Sequence, residues 1–187
     1  MKKNIIIGLF VLFLLGNPKK EPHNLDVKRK MIFESIVLKY GRTKAKLLET
    51  VHAALLRAGL PNTALKLSLA QVLFETGVFS GKQRASKANN FSGITFSGSP
   101  AQLATGAKKS VIELPEARGV FYASYPTPLN WAKDYIRILS RGSKPIQSAS
   151  PSDFSIRLKK NGYYTDTVFN YSRGITLYFN YLTKLGL

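Results

Sequence analysis

The chain has no cysteine, only two histidines, and ten acidic residues against 28 lysines and arginines. Without cysteine there is no disulfide framework, no thiol nucleophile and no lipidated cysteine after a leader, so an exported form must hold together by packing alone. His23 and His52, with no thiolate beside them, are too few ligands for a typical zinc site, and no metal or cofactor is expected. A Ser-His-Asp triad would need His52, which falls in a scaffold helix without a Gly-x-Ser-x-Gly elbow, and no phosphate-binding glycine loop is present. What is there suits one globular domain: 187 residues, 44% hydrophobic and 11% aromatic. The formal net charge of +18 draws such a domain toward polyanions: nucleic acid, anionic lipid or an anionic cell wall. The basic residues are dispersed and no nucleic-acid motif accompanies them, so a dedicated nucleic-acid site is not expected, whereas anionic envelope polymers fit the charge.

Residues 1–16 have the layout of an export signal, Lys2 and Lys3 followed by an apolar run from Ile5 to Leu15 broken only by Gly8. A spanning helix needs roughly 17 to 25 apolar residues, so this run reads as a signal core or, with Leu14 standing where a small residue favours cleavage, as a short membrane tether through residues 5–15. Residues 17–30, with five basic side chains, Pro18 and Pro22, read as a solvated linker. The folded domain is then 31–187.

From Met31 the apolar spacing is helical: Ile32, Ile36 and Val37 in one segment, then Leu47, Leu48, Val51 and Leu55 in a second that Gly59 and Pro61 close. A third helix is predicted with Asn62 as N-cap and Leu65, Leu69, Val72, Leu73 and Thr76 on one buried stripe. Glu75 borders that stripe. A carboxylate so placed is partly desolvated, which favours its protonated form and suits it to general acid catalysis; the plainer role is a solvated helix-surface glutamate near Lys82 and Arg84. Beyond Gly77 the chain turns polar and glycine-spotted, so Asn89-Asn90-Phe91 lies on a loop. Its two amides suit sugar hydroxyls and acetamido groups, or else close Asx-turns.

Val111 to Leu114 and Val120 to Tyr122, joined by a turn from Pro115 to Gly119, predict a β-hairpin. Glu113 in its first strand is the preferred second acid, and Glu116 falls in the turn. Helices resume with Thr127 capping Pro128 and with Trp131, Tyr135, Ile138 and Leu139 on one face. Ser150 before Pro151 starts another, and Val168 to Leu185 form the last, burying Phe169, Ile175, Phe179 and Leu182. The loop Gly162-Tyr163-Tyr164-Thr165-Asp166 between these two presents aromatics that stack on a sugar face, donate to a developing charge, or pack the helix joint.

Taken in order, Ala70-Gln71 through Glu75-Thr76-Gly77, Asn89-Asn90-Phe91-Ser92-Gly93-Ile94, Glu113 and Gly162 through Asp166 resemble the bacterial glucosaminidase domain of glycoside hydrolase family 73, which includes flagellar peptidoglycan hydrolases and autolysins. The resemblance runs from about Phe33 to Leu185 and rests on order and spacing, since each motif alone is weak. It implies a mainly α (α+β), lysozyme-like helical domain with a small β-hairpin lobe flanking a glycan-binding cleft. It further implies hydrolysis of the β-1,4 bond after N-acetylglucosamine in peptidoglycan, with Glu75 as essential acid, Glu113 as second acid and Tyr163 as cleft tyrosine. Gln71, Asn89, Asn90, Phe91, Tyr164 and Asp166 are the expected substrate-binding residues. An exported monomer of the envelope or periplasm, or a phage lysis protein, follows. Val78-Phe79 stand where the family has a tryptophan, Tyr164 replaces an alanine, and Asn-Asn-Phe-Ser-Gly replaces Asn-Asn-Leu-Phe-Gly. A lytic transglycosylase or muramidase of the same fold, working with one acid, and a non-catalytic cationic binding module are the alternatives.

Overall fold

The computed structural model describes residues 33–80, 87–115 and 117–187. The leader and linker, Met31, Ile32, Lys82, Arg84 and Glu116 therefore lie outside the described residues. Residues 33–40 are helical (α1), followed by α2 (Arg42–Arg57), α3 (Asn62–Thr76), the single turn α4 (Pro100–Leu103), strands β1 (Lys108–Glu113) and β2 (Phe121–Ser124), then α5 (Pro128–Leu139), α6 (Pro151–Lys160) and α7 (Val168–Lys184). The architecture is the mainly helical one with a two-stranded antiparallel sheet that the sequence implies. Among the described residues no helix is long and apolar enough to cross a membrane.

α3 is the centre of the core. Lys66 and Glu75 are its only charged residues, and a helix apolar nearly all round must be enclosed on nearly all sides. Accordingly Ala64, Leu65, Leu67, Ser68, Leu69, Ala70, Gln71, Val72, Leu73 and Thr76 are all buried, a wider set than the single stripe expected. α7 packs along one side of α3, α2 packs against α3 and α5, and α6 backs α7. Pro61, not Asn62, is the N-cap of α3, and no side chain caps that end.

The starts of α5, α6 and α7 obey local capping chemistry. The hydroxyls of Thr127 and Ser150 accept the Asn130 and Asp153 N–H groups, each at 3.2 Å, with proline in the first turn of each helix. Thr167 does the same for Asn170 at 3.2 Å. On α5, Trp131, Tyr135 and Leu139 are fully buried and Ile138 is half-buried. α7 buries Ile175 and Leu182, but Phe169, expected inside, is 74% exposed; Tyr171 takes the inward position instead.

The hairpin is longer than its apolar core suggests. Lys108 pairs with Ser124, Lys109 with Ala123 and Glu113 with Phe121, so four steps along β1 match two along β2. That mismatch is a bulge in which the Ser110 hydroxyl takes the Ile112 N–H at 3.0 Å. The other edge of β2 is covered by the segment after the Asn90 loop: Thr95 bridges Tyr122, and the Ile94 carbonyl accepts from Ala123 N–H at 2.9 Å.

Candidate active site

Glu75 stands at the last turn of α3, half-buried, and its Oε1 accepts the Tyr171 hydroxyl of α7 at 2.7 Å. Tyr171 is itself almost fully buried and is the residue whose role the sequence did not disclose. Its ring lies flat on Tyr164, centroids 3.7 Å apart and planes 6° off parallel, with Phe74 edge-on at 5.3 Å. Burial, and after it the charge of Glu75, push the Tyr171 phenol well above its ordinary pKa, so it stays a hydrogen-bond donor. Gly174 permits this seam: a Cβ there would meet the Phe74 ring at 2.2 Å.

The chain then makes a turn that L-residues rarely adopt. Gly77, Val78 and Phe79 have φ of 55°, 54° and 57°, three consecutive left-handed residues directly after Glu75-Thr76. Gly77 adopts this region freely, but at Val78 and Phe79 such strain costs on the order of 1–3 kcal/mol each and persists where surroundings enforce it, a pattern concentrated at functional sites. The enforcing contacts are visible: the Thr76 hydroxyl donates to the Val72 carbonyl at 2.7 Å and accepts the Phe79 N–H at 3.1 Å, while the rings of Phe79 and Phe91 meet edge-on at 6.3 Å. Through this turn Phe79 meets Phe91 of the Asn90 loop.

That loop is built from buried parts. Asn90 is fully enclosed, its Nδ2 donating to the Ile94 and Ala123 carbonyls at 2.7 and 2.9 Å and its Oδ1 taking the Ile94 N–H. Phe91 sits in the core, 5.0 Å edge-on from Trp131, whose indole N–H donates to the Ser92 hydroxyl at 3.0 Å. Gln71 is equally enclosed, between the hydroxyls of Tyr171 and Tyr135. The expectation that Gln71, Asn90 and Phe91 touch substrate is therefore revised: their polar atoms and faces are occupied inside the protein. Asn89, half-buried, donates to the Tyr125 and Pro126 carbonyls at 3.0 and 3.4 Å, the Asx-type role of these two amides.

The tyrosine loop arrives from the opposite side. Tyr163 is half-buried, donates to the Ser92 carbonyl, and so ties its loop to the Asn90 loop. Tyr164 gives its hydroxyl to the Ser155 carbonyl at 2.9 Å. Asp166, expected at substrate, instead receives the Thr167 N–H and the Asn170 side-chain amide at 2.6 and 3.1 Å and opens α7. The loop is clamped by the Lys159 ammonium, which donates to the carbonyls of Tyr164, Thr165 and Asp166 at 3.3, 2.8 and 2.8 Å.

Glu113 is placed differently. It is exposed at the end of β1, and its Oε1 accepts the Gly119 N–H across its own turn. The structure brings Glu75, Gln71, Tyr171, Tyr163 and Tyr164 into one constellation, leaves Asn89, Asn90 and Phe91 bonded or packed within the neighbouring loop, and leaves Glu113 at the hairpin turn. A second buried carboxylate also escaped the sequence: Asp134 of α5 accepts Tyr125 and Gln102 at 2.7 and 3.2 Å and pairs with Arg137. Among the described residues no cluster of three or more His, Cys, Asp or Glu side chains is arranged to hold a metal.

No protein-family model matches the chain, and no curated protein matches it. Among solved structures, the catalytic domain of the autolysin Auto from Listeria monocytogenes is similar over 98% of this chain and 98% of its own, with 12% identity and a TM-score of 0.44. A likeness that distant carries neither a family nor an activity across.

Proposed function

We propose that the chain is a peptidoglycan hydrolase of the cell envelope that cleaves the β-1,4 bond after N-acetylglucosamine, with Glu75 as general acid. The observation that carries this reading is a half-buried carboxylate, held by a buried tyrosine and followed at once by a strained left-handed turn. In the reaction Glu75 gives its proton to the glycosidic oxygen as the bond to the anomeric carbon breaks, and water then adds its hydroxyl to that carbon and gives its proton to a carboxylate, which restores the acid for the next turnover. Tyr163 and Tyr164 border the sugar beside the acid, and Glu113 serves as the second carboxylate when the hairpin closes on a glycan strand. The net charge of +18 holds the protein, as a monomer, to anionic envelope polymers, an attraction that salt weakens.

A second reading, a lytic transglycosylase using one acid, is favoured by the bond between Glu113 and its own turn. Mass spectrometry of reduced digestion products separates the two. N-acetylglucosamine reducing ends that require Glu75 support the hydrolase, anhydro-muramic ends transfer the claim to the transglycosylase, and no cleavage of several wall types leaves a cationic binding protein.

A further inference from the structure

Three consecutive carbonyl groups of the tyrosine loop converge on one ammonium. α6 ends in a Schellman turn: Gly162 is left-handed at φ 69°, its N–H donates to the Lys159 carbonyl at 2.9 Å, and the Tyr163 N–H donates to the Leu158 carbonyl at 3.0 Å. That reversal carries Tyr164, Thr165 and Asp166 back past the last turn of α6. There the Lys159 Nζ donates to their carbonyls at 3.3, 2.8 and 2.8 Å, one acceptor for each N–H bond that an ammonium carries. Among the described residues no backbone N–H donates to any of these carbonyls, so one side chain does what a helix or sheet ladder does elsewhere. The same Nζ lies 5.2 Å from the centre of the Tyr164 ring, which is stacked on Tyr171. The other basic residues of this turn are used differently: Arg157 bonds Asp153 and the Ser143 carbonyl, both at 2.8 Å, and Lys160 is exposed.

Resting on the reading that puts Tyr163 and Tyr164 beside the sugar, we propose that Lys159 is a positioning residue for glycan binding: its ammonium fills a cation cradle made by the carbonyls of Tyr164, Thr165 and Asp166, and the filled cradle holds the tyrosine loop in the form that meets the strand. Converging backbone carbonyls are a recurrent way for proteins to hold cations. Here the cation is carried on a lysine stem. Without it three carbonyl dipoles face one another, and turning them out to water draws the Tyr164 ring off Tyr171 and the Tyr163 hydroxyl off the Ser92 carbonyl. Lys159 acts through the loop, so its effect falls on binding more than on the chemical step.

The test is Lys159→Ala in the full chain, followed by cleavage of purified peptidoglycan and by near-ultraviolet circular dichroism, with and without added n-propylammonium, which replaces the atoms removed. The expected result is a KM raised about 5- to 50-fold with kcat nearly unchanged and a weakened tyrosine signal. Propylammonium restores both, whereas tetramethylammonium, a cation with no N–H to donate, restores neither. Lys160→Ala removes the same charge from the same helix end and is expected to change KM by less than about 2-fold. An unchanged KM in folded Lys159→Ala, an equal rise in Lys160→Ala, no recovery with propylammonium, or equal recovery with tetramethylammonium overturns the proposal. Glu75→Gln run beside them keeps the claims apart: if it cleaves like wild type, the general-acid reading fails while the Lys159 comparison stands. If wild type cleaves no wall, the proposed function fails, and loss and recovery of the tyrosine signal still decide for or against the cradle.

Discussion

Two carboxylates occupy opposite kinds of structure in this molecule. Glu75 ends a helix buried on nearly every side and is gripped by a tyrosine that is itself buried; Glu113 ends β1, the exposed, bulged strand of a sheet whose other strand is buried, and accepts from its own turn. Preorganised electrostatics require a group that does not reorganise as charge develops, and only the first setting meets that requirement. The second setting suits a part that moves. The contrast between a carboxylate anchored on the core and one at a turn is one that substitution can probe.

The largest difference is expected in activity: under the proposed function Glu75→Gln lowers cell-wall cleavage by about 100- to 10,000-fold, whereas Glu113→Gln, at an exposed carboxylate bonded to its own turn, lowers it by clearly less. Equal losses would erase the distinction between the two regions. In stability the order is the same. Trp131→Ala, which empties a fully buried site between Phe91 and Tyr135, costs about 3–5 kcal/mol in urea denaturation. Val111→Ala, on the ribbon at 96% exposure, stays within about 0.5 kcal/mol.

The seam behind Glu75 offers a sign test. Replacing a mid-helix glycine by alanine ordinarily stabilises by about 0.5–1 kcal/mol, but at Gly174 the new methyl meets the Phe74 ring, and overpacking of about 1–3 kcal/mol outweighs that gain. Gly174→Ala is therefore destabilising, and it lowers kcat by disturbing the Phe74–Tyr171 contact; a rise in thermal midpoint would contradict the packing described. The smallest effect belongs to Asp153, whose carboxyl is held below its ordinary range first by its bond to Arg157. A depressed acid stabilises the fold above its unfolded pKa and ceases to do so as pH falls through the folded value. Asp153→Asn thus loses slightly at neutral pH and nothing in strong acid, and the exposed pair keeps the difference small.

Much of the scaffold was legible because its rules are local. Proline after a capping Thr or Ser announced α5 and α6, glycine at a left-handed C-cap ended α3, and 3.6-residue spacing marked most inward faces. Glu75 stood out for a related reason, as a carboxylate bordering the predicted buried stripe of its helix. What could not be read was set by distance along the chain. Tyr171 lies 96 residues from Glu75, and the spacing of α7 gives no sign that a tyrosine, not Phe169, turns inward to meet a carboxylate. The Asn90 and Gln71 amides carry the same lesson. An amide within a motif reads identically whether it meets a sugar or a backbone carbonyl, and only burial tells the two apart. The signal available for Gln71 was a polar residue in the middle of a helix enclosed all round, which demands an internal partner.

The most direct test of the account is digestion of purified peptidoglycan by wild type beside Glu75→Gln, with circular dichroism on both to show that each is folded. The account predicts glycan cleavage by wild type and its near-complete loss in a variant that keeps the wild-type helical spectrum. Undiminished cleavage by folded Glu75→Gln would contradict it.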